Sequence, residues 1–305
     1  MNKSEFTNTI ANMISSKLAS INSETSVEIH EVTKNNGITL TGLIIKNPSS
    51  NIAPTFYLEG FYDRYCNNLL PLECAVSEII DMYEHHKKES IEIEWIQDFS
   101  SVKNNIIPCL CNTVLNEEFL KSHPSVPFLD LSIYYRIQVS DDVMNLTGEE
   151  ATIAVTNQLA TIWNVSADEL FTLAFNNAKS VSPASFKTMA EIMKEMISDT
   201  SEIPDDLFES TPMMYVLSNI RKTNGAVWMA DKEVLSTIAT QFNDDFYLLP
   251  SSRHEIILIP SSFTSDEQNL KDMIREVNDT QVSNEDMLSY SLYKYNRKVG
   301  ELQIA

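Results

Sequence analysis

Two short apolar runs, Phe246 to Leu249 and Ile256 to Pro260, stand on either side of the polar segment Pro250 to Glu255. Each run is too short for a long or membrane-spanning helix, and proline punctuates both. The spacing therefore predicts a buried β-hairpin or a pair of adjacent strands. A chain that buries such a pair needs amphipathic elements to cover it, and the rest of the sequence supplies them.

Residues 4–21 place Phe6, Ile10, Met13, Ile14, Leu18 and Ile21 on one helical stripe. Val27 to Val32 and Ile38 to Ile45 read as strands joined at Asn35-Asn36-Gly37, residues that tolerate positive φ. Pro71 suits the first turn of a helix that buries Leu72, Ala75, Val76, Ile79, Ile80 and Tyr83. The apolar content of 101–114 predicts a helix broken or kinked at Pro108. Phe128 to Val139 reads as one strand and Ala151 to Val155 as another, with a short helix over 156–164. Ser166 and Glu169 form a capping box, as do Ser265 and Gln268. Phe186 to Ile197 carries an apolar stripe. Met213 to Ser218 and Ala226 to Met229 predict a hairpin closed near Asn224-Gly225, followed by a helix with Val234, Leu235, Ile238, Ala239 and Phe242. A terminal hairpin turns at 296–298.

These elements predict an α+β fold: mixed strand–helix units with β-hairpins, and amphipathic helices packed on antiparallel or mixed sheets. The expected organisation is an N-terminal helix–hairpin–helix region over 1–120, a central β-hairpin with helices over 121–200, and a ββαββαββ region over 213–305. Residues 198–212 hold Asp199, Glu202, Asp205, Asp206 and Glu209 with no basic residue, and read as an acidic linker. Residues 130–165 and 213–243 echo one another as strand, strand, helix; coincidence and duplication both account for that.

The densest gathering of functional groups is Ser251, Ser252, Arg253, His254 and Glu255. One reading is a hydrolase or transferase in which His254 acts as base, with Glu255 or another carboxylate as orienter, a serine, Ser252 nearby, as nucleophile, and Arg253 holding an anion. The other is turn chemistry followed by the start of a strand, on which neighbouring His254 and Glu255 point to opposite faces. The dipeptides His30-Glu31 and His254-Glu255 lack the second histidine of a zinc-binding helix motif. Cys66, Cys74, Cys109 and Cys111 lack zinc-site spacing and read as buried, reduced thiols. The pairs Asp141/Asp142, Glu149/Glu150, Asp205/Asp206 and Asp244/Asp245 read as turn carboxylates. With six glycines in 305 residues, neither a dinucleotide fingerprint nor a P-loop is present. No cofactor or metal is assigned.

The formal charge of −21 repels phosphate backbones, so the expected partner is a basic protein and not nucleic acid. An acidic mimic of nucleic acid is a further alternative, with 141–150 and 195–209 as its candidate surfaces. Tyr290, Tyr293 and Tyr295, together with Phe56, Tyr57, Phe61, Tyr62 and Tyr65, are candidate interface aromatics. The N-terminus lacks an apolar export region and no stretch approaches membrane-spanning length, so the expected compartment is the cytoplasm, away from the membrane.

Several strings taken together resemble an uncharacterised bacterial family, catalogued as a domain of unknown function and common in gut clostridia and their relatives. They are Phe128-Leu-Asp-Leu131, Trp163 with Glu169-Leu170, Met214-Tyr-Val-Leu-Ser-Asn219, Gly225-Ala226, Leu248-Leu-Pro-Ser-Ser252 with His254-Glu255, and Val277-Asn278 with Thr280-Gln-Val282. Ile38 to Tyr65 fits the early segment of that family. The resemblance implies an intracellular protein with one architecture over nearly the whole chain. It brings no activity, cofactor or catalytic residue. The expectation on balance is a non-enzymatic binding or regulatory module.

Overall fold

The N-terminal stripe forms α1 (Lys3–Ala19) in the computed structural model, started by a capping box in which the Asn2 side chain accepts from Glu5 N and Glu5 reaches back to Asn2 N. The structure describes residues 1–20, 24–48, 50, 53–86, 94–139, 152–196, 214–250, 252–264 and 266–305. The acidic segment 198–212 and the pairs Asp141/Asp142, Glu149/Glu150 and Asp205/Asp206 lie outside the described residues, as do Ser251 and Ser265. The chain divides into two units: Met1–Ile96 with Val139–Ala151, and Gln97–Gln138 with Thr152–Ala305.

In the first unit, β1 (Ser26–Thr33), β2 (Thr39–Lys46) and β3 (Thr55–Tyr57) form an antiparallel sheet in that order. Asn36 and Gly37 turn the first hairpin at φ 59° and 69°, where the sequence placed it. Two helices follow, α2 (Glu59–Cys66) and α3 (Leu72–His86). Phe6, Ile10, Ile14 and Leu18 of α1 share a core with Leu43 and Ile45 of β2 and with Ala75, Val76, Ile79 and Tyr83 of α3. Each of the larger side chains there contributes about 1.5–3 kcal/mol by leaving water.

The second unit holds two sheets. The region expected as a kinked helix is instead α4 (Phe99–Val102), one 3₁₀ turn, and β4 (Ile106–Asn112). Residues Ile106 to Cys111 are all buried, so the strand shows no alternation and its apolar run mimics a helix. Pro108 is tolerated because β4 is an edge, with β6 its one in-sheet neighbour among the described residues. After α5 (Glu117–Lys121), the single strand expected over 128–139 is two. β5 (Ser125–Phe128) and β6 (Leu131–Gln138) pair as a hairpin whose turn sets Leu129 at φ 55°. β7 (Thr152–Ala154) joins β6, and α6 (Asn157–Trp163) and α7 (Ala167–Val181) follow.

The apolar stripe after Phe186 begins as strand β8 (Ala184–Thr188) before continuing as α8 (Met189–Met196). β9 (Tyr215–Asn219) is a strand as expected, but Ala226 to Met229 is a 3₁₀ turn and not its hairpin partner. Ala226, Val227, Trp228 and Met229 are buried on all sides, and a short run of that kind carries no strand signature. The supposed internal echo loses its second strand and fails. α9 (Lys232–Phe242) then leads into β10 (Phe246–Leu249) and β11 (Ile256–Pro260), the antiparallel pair that the opening runs predict. α10 (Glu267–Thr280), β12 (Tyr293–Asn296) and β13 (Glu301–Ile304) complete the chain. The larger sheet runs β13-β12-β10-β11-β9-β8, and every adjacent pair is antiparallel. Leu270 and Ile274 of α10 pack on Tyr247, Leu249, Ile259 and Leu292. The fold is thus α+β.

Candidate functional site

The β10–β11 connection places Arg253 and His254 in a bend before β11 begins, not on the strand itself. Their partner is distant in sequence. Asp286 Oδ1 accepts from Arg253 Nε at 2.9 Å and from His254 Nε2 at 3.0 Å. The Arg253 amide also donates to Asp286 O at 2.9 Å. Glu285 Oε1 lies 3.9 Å from the Arg253 guanidinium. Asp286 Oδ2 accepts from Ser283 Oγ, and the Ser283 hydroxyl in turn accepts the Asp286 amide.

The other side of His254 is equally occupied. The Asn224 amide donates to its Nδ1 at 3.2 Å, so Nδ1 carries no proton and the ring hydrogen sits on Nε2, facing the carboxylate. The His254 carbonyl accepts from Ser218 Oγ at 2.7 Å and from Gly225 N at 3.1 Å. Its amide donates to Ser252 Oγ at 3.0 Å. Ser252 therefore shapes the bend and is bonded to the His254 backbone instead of its ring. Glu255 is exposed, and the orienting carboxylate is Asp286 in its place. The hydrogen bond from His254 above all, then that from Ser283 and the charge of Arg253, hold the Asp286 carboxyl well below the usual carboxylate range against the opposing effect of burial.

Asp286 carries no mark of this role in the sequence beyond Ser283-x-x-Asp286, which has capping-box spacing. Nothing local links it to His254.

A second polar junction surrounds Asp130 in the β5–β6 turn. Its carboxylate accepts from Ser289 Oγ at 2.6 Å, Ser291 Oγ at 2.9 Å and Tyr293 Oη at 2.7 Å. Burial, with the Asp130 carboxylate adding to it, raises the Tyr293 phenol far above its ordinary value. Of the candidate interface aromatics, Phe56, Tyr293 and Tyr295 are buried, whereas Tyr290 is exposed and donates to Asp279. Asp244 and Asp245 accept backbone amides of Ser262 and Arg297, as turn carboxylates do. His30 bonds Glu28, and His85 bonds the Asp81 carbonyl.

An open cleft of about 860 Å³ lies elsewhere in the second unit, between the end of α5 and the start of α7. Leu120, Pro124, Ala160 and Val165 give it apolar surface; His123, Asn157, Thr161 and Glu169 give it polar groups. The Ser166–Glu169 capping box, legible in the sequence, forms one wall. His123 is stacked on Phe119 with ring centres 3.8 Å apart and was not marked by any motif. Among the described residues, no three His, Cys, Asp or Glu side chains cluster closely enough to hold a metal ion. No helix among them is long and apolar enough to cross a membrane.

These features define an α+β protein whose most concentrated polar cluster ties loops together. The chain belongs to the family described as "Family of unknown function (DUF5688)", which it matches over residues 3–297. No curated protein and no solved structure matches it.

Proposed function

We propose that this protein is a non-enzymatic binding module for a basic protein partner. The observation that carries this reading is the full engagement of His254. A general base needs an accessible lone pair within reach of the proton it removes. Here Nδ1 is held by the Asn224 amide and Nε2 by Asp286, while the Ser252 hydroxyl bonds the His254 amide. The cluster supports a rigid clasp between three loops, and that favours binding over hydrolase or transferase chemistry at Ser252, Arg253 and His254. The charge of −21 selects cationic partners by steering and by complementarity.

The test is surface plasmon resonance of the immobilised protein against basic and acidic proteins of matched size, at about 50 mM and about 500 mM salt. Saturable binding confined to basic analytes and weakened by salt is expected. Indifference to analyte charge, or turnover of ester or phosphoester substrates that His254→Gln abolishes, overturns the reading.

A further inference from the structure

We infer that the cleft between α5 and α7 is the seat for the basic partner, and that it takes an extended segment bearing Lys or Arg. This rests on the binding-module reading above and deepens it by naming the site.

The argument begins with the hydrogen-bonding state of the lining. His123 Nδ1 lies 2.7 Å from the Phe119 carbonyl, which only accepts, so the proton is on Nδ1. In the neutral form of the ring the lone pair is therefore on Nε2, which has no partner among the described residues. Asn157 Nδ2 donates to Lys121 O at 2.9 Å, leaving Asn157 Oδ1 as an acceptor. Thr161 Oγ1 donates to Asn157 O, and Ser166 Oγ donates to Glu169 Oε2. Glu169 uses Oε2 in the capping box, and Oε1 has no described partner. Asn157 Nδ2, Thr161 Oγ1 and Ser166 Oγ are thus turned to protein oxygens, while the acceptors His123 Nε2, Asn157 Oδ1 and Glu169 Oε1 remain beside the amide of Asn164 and the hydroxyl of Ser125. A ligand rich in N–H donors complements that set.

Charge points the same way. Among the described residues no Lys or Arg lines the cleft, Glu169 does, and Asp168 adjoins it in the exposed first turn of α7. The openness of the cleft and its apolar patches at Leu120, Pro124, Ala160 and Val165 suit a chain laid across it, with aliphatic stems on those patches and the cationic heads at the acceptors.

The experiment uses a fluorescein-labelled peptide of about eight residues alternating Lys and Ser, with Glu–Ser and all-Ser peptides of equal length as references. Glu169→Gln removes the carboxylate charge and retains capping-box chemistry, because glutamine serves at that position. Glu276→Gln makes the same charge change on the exposed face of α10, outside the cleft. Fluorescence anisotropy is expected to show saturable binding of the Lys peptide alone, weakened about fivefold by Glu169→Gln and unchanged by Glu276→Gln. Thr161→Lys, on the exposed side of α6, is expected to weaken it further. If the Lys peptide binds but Glu169→Gln and Glu276→Gln behave alike, the cleft is the wrong site and the binding-module reading survives. If the three peptides bind alike, or none binds, that reading fails as well.

Discussion

Asp286 and His254, 32 residues apart, meet at 3.0 Å between Oδ1 and Nε2 and fix which ring nitrogen bears the proton. The same oxygen receives Arg253 Nε. The carboxylate is held low in the folded protein, so its contribution to stability is complete above the ordinary carboxylate range, near pH 4, and is lost as pH falls below it. Asp286→Asn is expected to cost about 2 kcal/mol at neutral pH. Its unfolding midpoint is expected to change less with pH than wild type between about pH 2 and pH 4. Urea denaturation at a series of pH values checks this; equal stability at neutral pH would refute the clasp.

Gly225 tests the opposite wall of that junction. A Cβ built there falls 2.4 Å from Ser218 Oγ, 2.6 Å from Asn219 N and 2.8 Å from His254 O. Two of these are backbone atoms and cannot swing aside. Gly225→Ala is therefore expected to destabilise by about 3 kcal/mol, or to yield insoluble protein. Gly60, whose Cβ would meet nothing within 4 Å, supplies the comparison. Gly60→Ala lies inside α2 and is expected to be neutral or stabilising by up to about 1 kcal/mol. Thermal denaturation of both variants decides the matter.

Local signals in the sequence carried most elements, because turn residues and apolar periodicity act over a few positions. Asn36-Gly37, the stripe of α1 and the β10–β11 pair were legible for that reason. Fully buried segments were not: Ile106 to Cys111 and Ala226 to Met229 are apolar on every side, and burial from two faces erases the period that separates strand from helix or 3₁₀ turn. The candidate site was half legible. Arg253 and His254 stood out by density, but Asp286 reaches them only through the tertiary path from β11 through α10, which no spacing rule encodes. The cleft acceptors escaped notice because an isolated histidine such as His123 gains meaning only from the carbonyl that fixes its tautomer.

Helix starts distinguish the two capping boxes read from sequence. Ser166 accepts from Glu169 N at 3.2 Å as expected, and Ser166→Ala is expected to cost about 1 kcal/mol. At α10 the cap is Asp266, which accepts from Asn269 N at 3.0 Å, one position beyond the predicted Ser265. Gln268 instead bonds Asp272 on the helix surface. Asp266→Ala is expected to cost about 1 kcal/mol, whereas Gln268→Ala changes stability by no more than a few tenths, about 0.3 kcal/mol. Equal losses for the two α10 variants would restore the sequence assignment.

The cysteines separate into two chemical classes. Cys66 and Cys74 are exposed, in α2 and α3, and correct the expectation that every thiol is buried. Cys109 and Cys111 alternate on one face of β4 beneath Phe119 and Leu120, packed with Tyr134. Burial, with Cys109 beside it, pushes the Cys111 thiol up to about 12, so almost no thiolate forms at neutral pH. An aromatic disulfide reagent at pH 8 is expected to modify Cys66 and Cys74 rapidly in the native protein and to leave Cys109 and Cys111 untouched until denaturant is added. Mass spectrometry of the labelled peptides assigns each site. Rapid native labelling at Cys111 would mean that α5 opens readily from the sheet, and the wall of the cleft that begins at Leu120 would then be mobile instead of fixed.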